Sequence, residues 1–238
     1  MNLENKTAIV TGASGGLGAA ISSTLIQNGT KVFGLARNTQ ALSSLQNKLG
    51  SQFIPVSLDI SDFEAVKNWV NQTFSENKVP DILINNAGAG SFGKIDEMPS
   101  EEWHAMINTN LNGMYYITSQ IASLMKKKKE GAHIVNIGSI LGSMGRAESA
   151  AYCATKYGVQ GFSDALFKEL RFFNIKVTCF NPGSIDTHFF ESSGIAAHSN
   201  MLHPQDLANT LVHILQTPDN MLISDITLRP LNPKNPEN

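Results

Sequence analysis

Apolar residues along this chain follow two alternating patterns, and the alternation sets an architecture before any motif is considered. Short β-branched runs read as strands at Thr7–Thr11, Lys31–Ala36, Phe53–Ser57, Asp81–Asn85, His133–Ser139, Lys176–Asn181 and Ile223–Leu228. Between them apolar positions recur at helical spacing, as at Leu17, Ile21 and Leu25, at Leu42, Leu45 and Leu49, and at Phe63, Val66, Val70 and Phe74. One long helical stretch carries Trp103, Ile107, Leu111, Met114, Thr118, Ile121 and Met125, and Ala150–Phe172 and Pro204–Leu215 are two further helices. Strands joined by helical crossovers form right-handed βαβ units, whose parallel sheet is covered on both faces. The expected fold is therefore α/β, a single doubly wound domain over residues 1–238 with a parallel sheet of about seven strands. Pro230–Asn238, with three prolines and three asparagines, reads as an irregular tail.

Composition narrows the choice of partner. With 42% hydrophobic and 16% charged residues among 238, the chain can bury a substantial core without covalent staples. Its 18 Lys+Arg face 20 Asp+Glu, so no general attraction to nucleic acid is expected. No uncharged apolar run approaches the ~18 residues of a membrane span, and the opening MNLENKTAIV has no signal-type segment, so the expectation is a cytoplasmic protein without a membrane partner. Cys153 and Cys179 are too few for a disulfide framework and read as small buried hydrophobes. The run Lys126–Lys129 closes the long helix, where cations are favoured. The six histidines and the carboxylates show no metal-ligand spacing, so no metal is expected.

Thr11–Gly18 packs four glycines into seven residues between the first strand and the first helix, the place where glycine lets backbone approach a pyrophosphate over a helix N-terminus. A literal GxGxxG also occurs at Gly88, Gly90 and Gly93, but no helix opens there, since Pro99 and Ser100 mark the next helix start. That second match reads as a loop. A dinucleotide site needs a ribose-reading residue at the end of the second strand; here Ala36 and Arg37 stand where an acid would read NAD. A guanidinium pairs with a 2′-phosphate that an acid would repel, so the expected cofactor is NADP(H).

Tyr152 and Lys156 stand four residues apart, on one face of the expected helix. A free tyrosine titrates near pH ~10 and a neighbouring ammonium favours its phenolate, so such a phenol can exchange a proton with a substrate oxygen. Ser139, at the end of an expected parallel strand, can polarise a carbonyl. It lacks the flanking glycines of a nucleophile elbow, which argues against a hydrolase.

Taken in order, TGxxxGxG at Thr11–Gly18, Asn-Asn-Ala-Gly at Asn85–Gly88, Asn110 with Gly113, then Ser139, Tyr152, Lys156 and Asn181-Pro182-Gly183 resemble the short-chain dehydrogenase/reductase family over nearly the whole chain. The resemblance implies a Rossmann-like fold and an NADP(H)-dependent oxidoreductase interconverting a carbonyl and a secondary alcohol, with a small molecule as partner. It implies Tyr152 as general acid/base and Ser139 as donor to the reacting carbonyl. Lys156 would lower the Tyr152 pKa and hold the nicotinamide ribose, and Asn110 would position a water linking Lys156 to solvent. Gly12, Ser14, Gly16, Leu17 and Gly18 would line the pyrophosphate, Asp59 and Ile60 would flank adenine, and Asn86, Ala87 and Gly88 would pack along the adenosine ribose. Pro182, Gly183, Ile185 and Thr187 would reach the nicotinamide end.

The family also implies a homo-oligomer, tetramer or dimer, through Trp103–Met125 and Ala150–Phe172. Its frequent Gly-Gly pair near the C-terminus is replaced here by Ile223–Pro230, an ending more similar to NADP-dependent dehydrogenases of small hydroxy acids and related carbonyls. A substrate lid is expected around 184–203, holding His188, Phe189, Phe190 and His198 in surface, capping or substrate roles. Arg146 reads either as a solvated loop arginine or as an anchor for a carboxylate. Two other functions stay open, a non-catalytic NADP(H)-binding sensor or regulatory protein and an interaction scaffold that binds no cofactor.

Overall fold

The computed structural model describes residues 1–187 and 200–232. In chain order β1 (Thr7–Thr11), α1 (Gly16–Gln27), β2 (Lys31–Ala36), α2 (Thr39–Leu49), β3 (Phe53–Ser57), α3 (Phe63–Thr73) and β4 (Ile82–Asn85) come first. They are followed by α4 (Ser100–Ile107), α5 (Met114–Met125), β5 (Ala132–Ile137), α6 (Ala150–Leu170), β6 (Ile175–Pro182), α7 (Pro204–Leu215) and β7 (Asp225–Leu228). Local chemistry sets several helix starts. Asn38 caps α2 by accepting from the Ala41 amide, Asp62 caps α3 by accepting from the Ala65 amide, each at 3.0 Å, and Pro204 opens α7.

All seven strands pair in parallel in the order β3-β2-β1-β4-β5-β6-β7. The chain starts in the middle, builds outward to β3, then returns to lay β4 on the other side of β1, and this reversal opens a crevice at the strand ends. Alternate side chains of each strand serve opposite cores. Ala8, Val10, Ile82, Ile84, Val135 and Phe180 pack with Ile21 and Leu25 of α1 and Leu211 and Leu215 of α7. Ile9, Leu83, Ile134 and Val177 pack with Val66 of α3, Ile117 and Ile121 of α5 and Leu170 of α6. Burial on both faces is why these strands read as unbroken apolar runs rather than as alternating ones. Among the described residues no helix is long and apolar enough to cross a membrane.

The structure departs from the sequence pattern at several element ends, with β6 running Ile175–Pro182 and α6 ending at Leu170, and at further places that bear on the site. Strand β4 begins one residue later than expected, at Ile82, although the Asp81 amide and carbonyl still bond Thr7 and His133, and its carboxylate accepts the Thr7 amide at 2.8 Å and pairs with Lys6 and Lys128. Strand β5 ends at Ile137, so Ser139 belongs to the loop beyond it, and β7 begins only at Asp225. The helix expected through Trp103–Met125 is broken by a wide π turn over Asn108–Gly113, which inserts a residue that regular periodicity does not show.

His133 on β5 is fully buried, with Nε2 2.8 Å from Thr178 Oγ1. Thr178 gives its own proton to the Ile223 carbonyl at 2.7 Å, so it must accept from the ring, and Nε2 carries the hydrogen. Among the described residues Nδ1 has no hydrogen-bond partner. Burial, reinforced by the charges of Lys176 and the amino terminus, pushes the imidazole down to about 3. The unfolded chain holds its histidines near ~6.5, so the stabilisation from keeping His133 neutral is complete above that pH and drains away as pH falls toward the folded value. Urea unfolding between about pH 6 and pH 4 should therefore show stability falling by about 1.4 kcal/mol per pH unit from this group, a slope that His133→Leu removes. Equal slopes in the two proteins would refute the assignment.

Candidate active site

The C-terminal ends of the strands open into a cleft of about 890 Å³. Gly12, Ser14, Gly16 and Leu17 line it after β1, Arg37 and Asn38 after β2, Asp59 and Ile60 after β3, and Asn86, Ala87 and Gly88 after β4. Ser139 follows β5, Tyr152 and Lys156 come from α6, and Pro182, Gly183, Ile185 and Thr187 follow β6. Two residues expected in the lining stand behind it. Gly18 supports the turn instead: a Cβ there would sit 2.3 Å from the Gly12 carbonyl oxygen, so only glycine lets α1 pack this closely. Asn110 is the other.

The glycine turn is built to present backbone. Gly12 has φ +66°, and a Cβ on it would lie 2.8 Å from Ala87 Cα. No side chain caps the N-terminus of α1, which faces the cleft. Asn86 stitches the β4 loop to this turn, donating from Nδ2 to the carbonyls of Thr11 at 2.9 Å and Gly12 at 3.2 Å. In return Thr11 Oγ1 accepts the Asn86 and Ala87 amides, both at 3.0 Å. At the end of β2 the Arg37 guanidinium is 78% exposed and 3.9 Å from Asp59, a pair too loose and too hydrated to neutralise it. Burial raises the Asp59 carboxyl, but hydrogen bonds from Ser61 and the Arg37 charge outweigh it and hold the group below the usual carboxylate range.

Ser139 is oriented from two sides. Its amide donates to Asn181 Oδ1 at 3.1 Å, and its Oγ accepts the Leu141 amide at 3.1 Å. With an acceptor position taken, the hydroxyl proton turns elsewhere, and Ser139 hydrogen-bonds the Tyr152 phenol. Lys156 Nζ donates to the Ile137 carbonyl at 2.9 Å and lies 5.6 Å from the Tyr152 ring centroid.

The expected lowering of the Tyr152 pKa is corrected here. Burial pushes the phenol up to about 12 against a smaller downward pull from Ser139, and burial likewise pushes Lys156 down to about 8. Both groups are packed out of water, so each loses affinity for its charged form. The phenol is protonated at neutral pH.

Asn110, on the π turn, spends its side chain on direct bonds. Its Oδ1 accepts the Ala89 amide at 2.7 Å, and Nδ2 donates to the Ala89 carbonyl at 2.9 Å and to Thr155 Oγ1 at 3.0 Å. Thr155 in turn donates to the Tyr152 carbonyl at 2.8 Å. Asn110 thus clamps the loop after β4 to the helix that carries Tyr152.

Three features escaped the sequence pattern. Asn181 holds the Ser139 backbone; Phe92 lies against Tyr152 at 5.3 Å between ring centroids; Arg229, just past β7, lines the cleft beside Met144. The Asn-Pro-Gly motif was the signal for the first, whereas nothing local marks the other two. Gly88–Gly93 is a loop, as expected. His188, Phe189, Phe190 and His198 lie outside the described residues, but the ends of their segment meet, with Ile185 paired to Leu202. Among the described residues no cluster of His, Cys, Asp or Glu is placed to hold a metal.

Residues 6–196 match the family model described as short chain dehydrogenase. Dehydrogenase/reductase SDR family member 11 of Bos taurus is 32% identical over 245 aligned residues, covering 95% of this chain and 96% of the relative. The closed form of serine dehydrogenase complexed with NADP+ superposes with a TM-score of 0.85 at 29% identity, covering 93% of both chains. The 3-ketoacyl-(acyl-carrier-protein) reductase of Brucella melitensis complexed with NADH gives a TM-score of 0.88 at 26% identity, over 95% of this chain and 97% of the other.

The clamp makes a direct test of the geometry. Asn110→Ala leaves the Ala89 amide and carbonyl and the Thr155 hydroxyl short of a partner, and should cost about 1–3 kcal/mol in urea unfolding. A loss below about 0.5 kcal/mol would mean that water replaces the side chain at little cost.

Proposed function

The chain belongs to the short chain dehydrogenase family, and on that premise we propose that it is an NADP(H)-dependent oxidoreductase interconverting a carbonyl and a secondary alcohol. The observation that carries this reading is one cleft shared by the glycine turn, Arg37, Ser139, Tyr152 and Lys156. The first-turn amides of α1, aimed into the cleft over a turn that only glycine fits, suit a pyrophosphate. In this reading Gly12, Ser14, Gly16 and Leu17 hold the pyrophosphate, Asp59 and Ile60 the adenine, and Arg37 the 2′-phosphate. Asn86, Ala87 and Gly88 line the adenosine ribose, and Pro182, Gly183, Ile185 and Thr187 line the nicotinamide end, with Lys156 on the nearer ribose.

The bound nicotinamide supplies or accepts a hydride at the carbonyl carbon. Charge then develops on the carbonyl oxygen, and the chain's own groups must answer it. Ser139 donates a hydrogen bond to that oxygen, and Tyr152 delivers its proton there. A phenol pushed up to about 12 holds its proton until an alkoxide, a far stronger base, forms beside it. The Lys156 ammonium, 5.6 Å from the ring centroid, offsets the phenolate left behind. Alcohol oxidation runs the same steps backwards. We place this enzyme in the cytoplasm as a homo-oligomer, dimer or tetramer, a reading supported by exposed Tyr115 and Tyr157 on α5 and α6 and the groove between those helices.

Titration with NADPH and NADH, followed by nicotinamide fluorescence, should show NADPH bound more tightly by about tenfold, and Arg37→Asp should reverse the preference. A variant that still prefers NADPH would remove Arg37 from the site. Tyr152→Phe should bind NADPH and yet lose about 10²–10⁴ in kcat for carbonyl reduction. Unaltered function in that variant would favour a cofactor-binding sensor over an enzyme.

A further inference from the structure

Ser139 owes its backbone position to Asn181, and Asn181 is itself turned by two residues that stand outside the cleft lining, Gln160 and Asp225. Asn181 Oδ1 accepts the Ser139 amide at 3.1 Å, and its Nδ2 donates to Gln160 Oε1 at 3.0 Å and to Asp225 Oδ2 at 2.8 Å. Gln160 Nε2 donates to the same Asp225 oxygen at 2.8 Å. The approach to Ser139 needs room, and Gly138 supplies it, since a Cβ there would lie 1.9 Å from Asn181 Oδ1. The fold brings these groups together from separate elements. Gln160 lies one helical turn beyond Lys156 on α6. Asp225 stands opposite Cys179 in the β6–β7 pairing, and Asn181, two residues on, shares that face of the sheet.

A terminal amide carries an oxygen and a nitrogen of nearly the same size, so shape alone does not decide which of them faces Ser139. Polarity decides it. The Asp225 carboxylate only accepts, so Asn181 Nδ2 turns toward it and Oδ1 is left facing the Ser139 N–H. The same carboxylate oxygen draws Gln160 Nε2, which leaves Gln160 Oε1 to take the second Asn181 proton. One charged acceptor thereby fixes the direction of both amides through charge-assisted bonds. Without it each amide is free to turn over, and the Ser139 N–H would then meet an N–H instead of an oxygen.

Resting on the oxidoreductase reading above, we propose that Asp225 and Gln160 are positioning residues for carbonyl reduction, which hold Ser139 in place by setting the orientation of the Asn181 amide. A donor to a developing oxyanion works only within a narrow range of distance and angle, and a shift of the Ser139 backbone moves Oγ with it. The adenosine end of the cleft does not depend on these residues, because the glycine turn and Arg37 follow β1 and β2, on the other side of β4. A defect in the orienting group therefore falls on the chemical step and spares the hold on NADPH.

The test has two arms. Hydrogen exchange at the Ser139 amide, followed by NMR, needs no substrate, and Asp225→Ala should quicken it by about tenfold as the bond to Asn181 is given up. The second arm measures kcat for reduction of butane-2,3-dione and ethyl acetoacetate at saturating NADPH. Asp225→Ala and Gln160→Leu should each lower kcat by about tenfold with the KM for NADPH unchanged. Gln160→Glu/Asp225→Asn moves the pure acceptor to the helix and an amide to the strand, and should recover most of the loss. In a Ser139→Ala background, Asp225→Ala should change kcat by less than about twofold, because the hydroxyl it positions is gone, whereas a general loosening of the fold would lower kcat in both backgrounds. Unchanged exchange at Ser139, an equal loss in both backgrounds, or a double variant no better than Asp225→Ala would overturn the proposal. If NADPH binds and exchange quickens but the parent protein reduces neither compound, the oxidoreductase reading fails and the catalytic role with it, while the hold on the Ser139 amide stands.

Discussion

Seven parallel strands must release their C-terminal ends along one edge of the sheet, and the glycine turn, Arg37 and Ser139 are delivered there, with Tyr152 and Lys156 brought to the same cleft by α6. The constraint is geometric. A parallel strand is followed by a crossover that returns to the opposite edge, so each strand end begins a loop, and neighbouring loops lie one strand spacing apart. The reversal of strand order between β1 and β4 parts two of these loops and makes the cleft. Asn86 and Thr11 then bridge the parting with reciprocal bonds, so the crevice has a fixed width instead of two independent walls.

Within the cleft the same burial that stabilises the fold sets the proton chemistry. Tyr152 is 9% exposed and Lys156 is 6% exposed, and that environment disfavours the charged form of each, enough to keep the phenol neutral while the lysine still carries its proton at neutral pH. A phenol at about 12 and an ammonium at about 8 look mismatched for exchanging a proton at neutral pH. The mismatch is resolved by asking what the phenol meets. Against a neutral carbonyl it keeps its proton; against an alkoxide it gives it up, and the nearby ammonium becomes worth most at that moment, when a negative charge has appeared in a dry site. Desolvation thus keeps the phenol neutral until the reaction supplies a charge.

Most of the fold is legible in the sequence because its signals are local. The β-branched runs mark β1, β2 and β3 to the residue, and the apolar spacing marks α7 equally well. What escapes is set by partners far away in sequence. The Asp81 carboxylate is claimed by the Thr7 amide and two lysines, and on the π turn the Asn110 amide bonds Ala89 and Thr155 at once. The site follows the same division. Gly12 and Gly18 look alike in a motif, yet one faces the cleft and the other packs a helix, and only the distance to the Gly12 carbonyl tells them apart. Arg229 carries no motif at all; it enters the cleft because β7 pairs with β6 in a register that sets Leu228 opposite Pro182.

That last pairing bears on how differently the fold holds the two ends of the cleft. The glycine turn, Ser139 and the α6 pair are each locked by backbone bonds or burial, so altering one disturbs the sheet or the helix that holds it. Arg146 and Arg229 are exposed side chains on loops, and among the described residues no carboxylate holds either of them. Their replacement would cost the fold little, since substitutions at unpaired surface positions usually fall within about 0.5 kcal/mol. Stability therefore constrains the reacting centre closely and the far end of the cleft hardly at all.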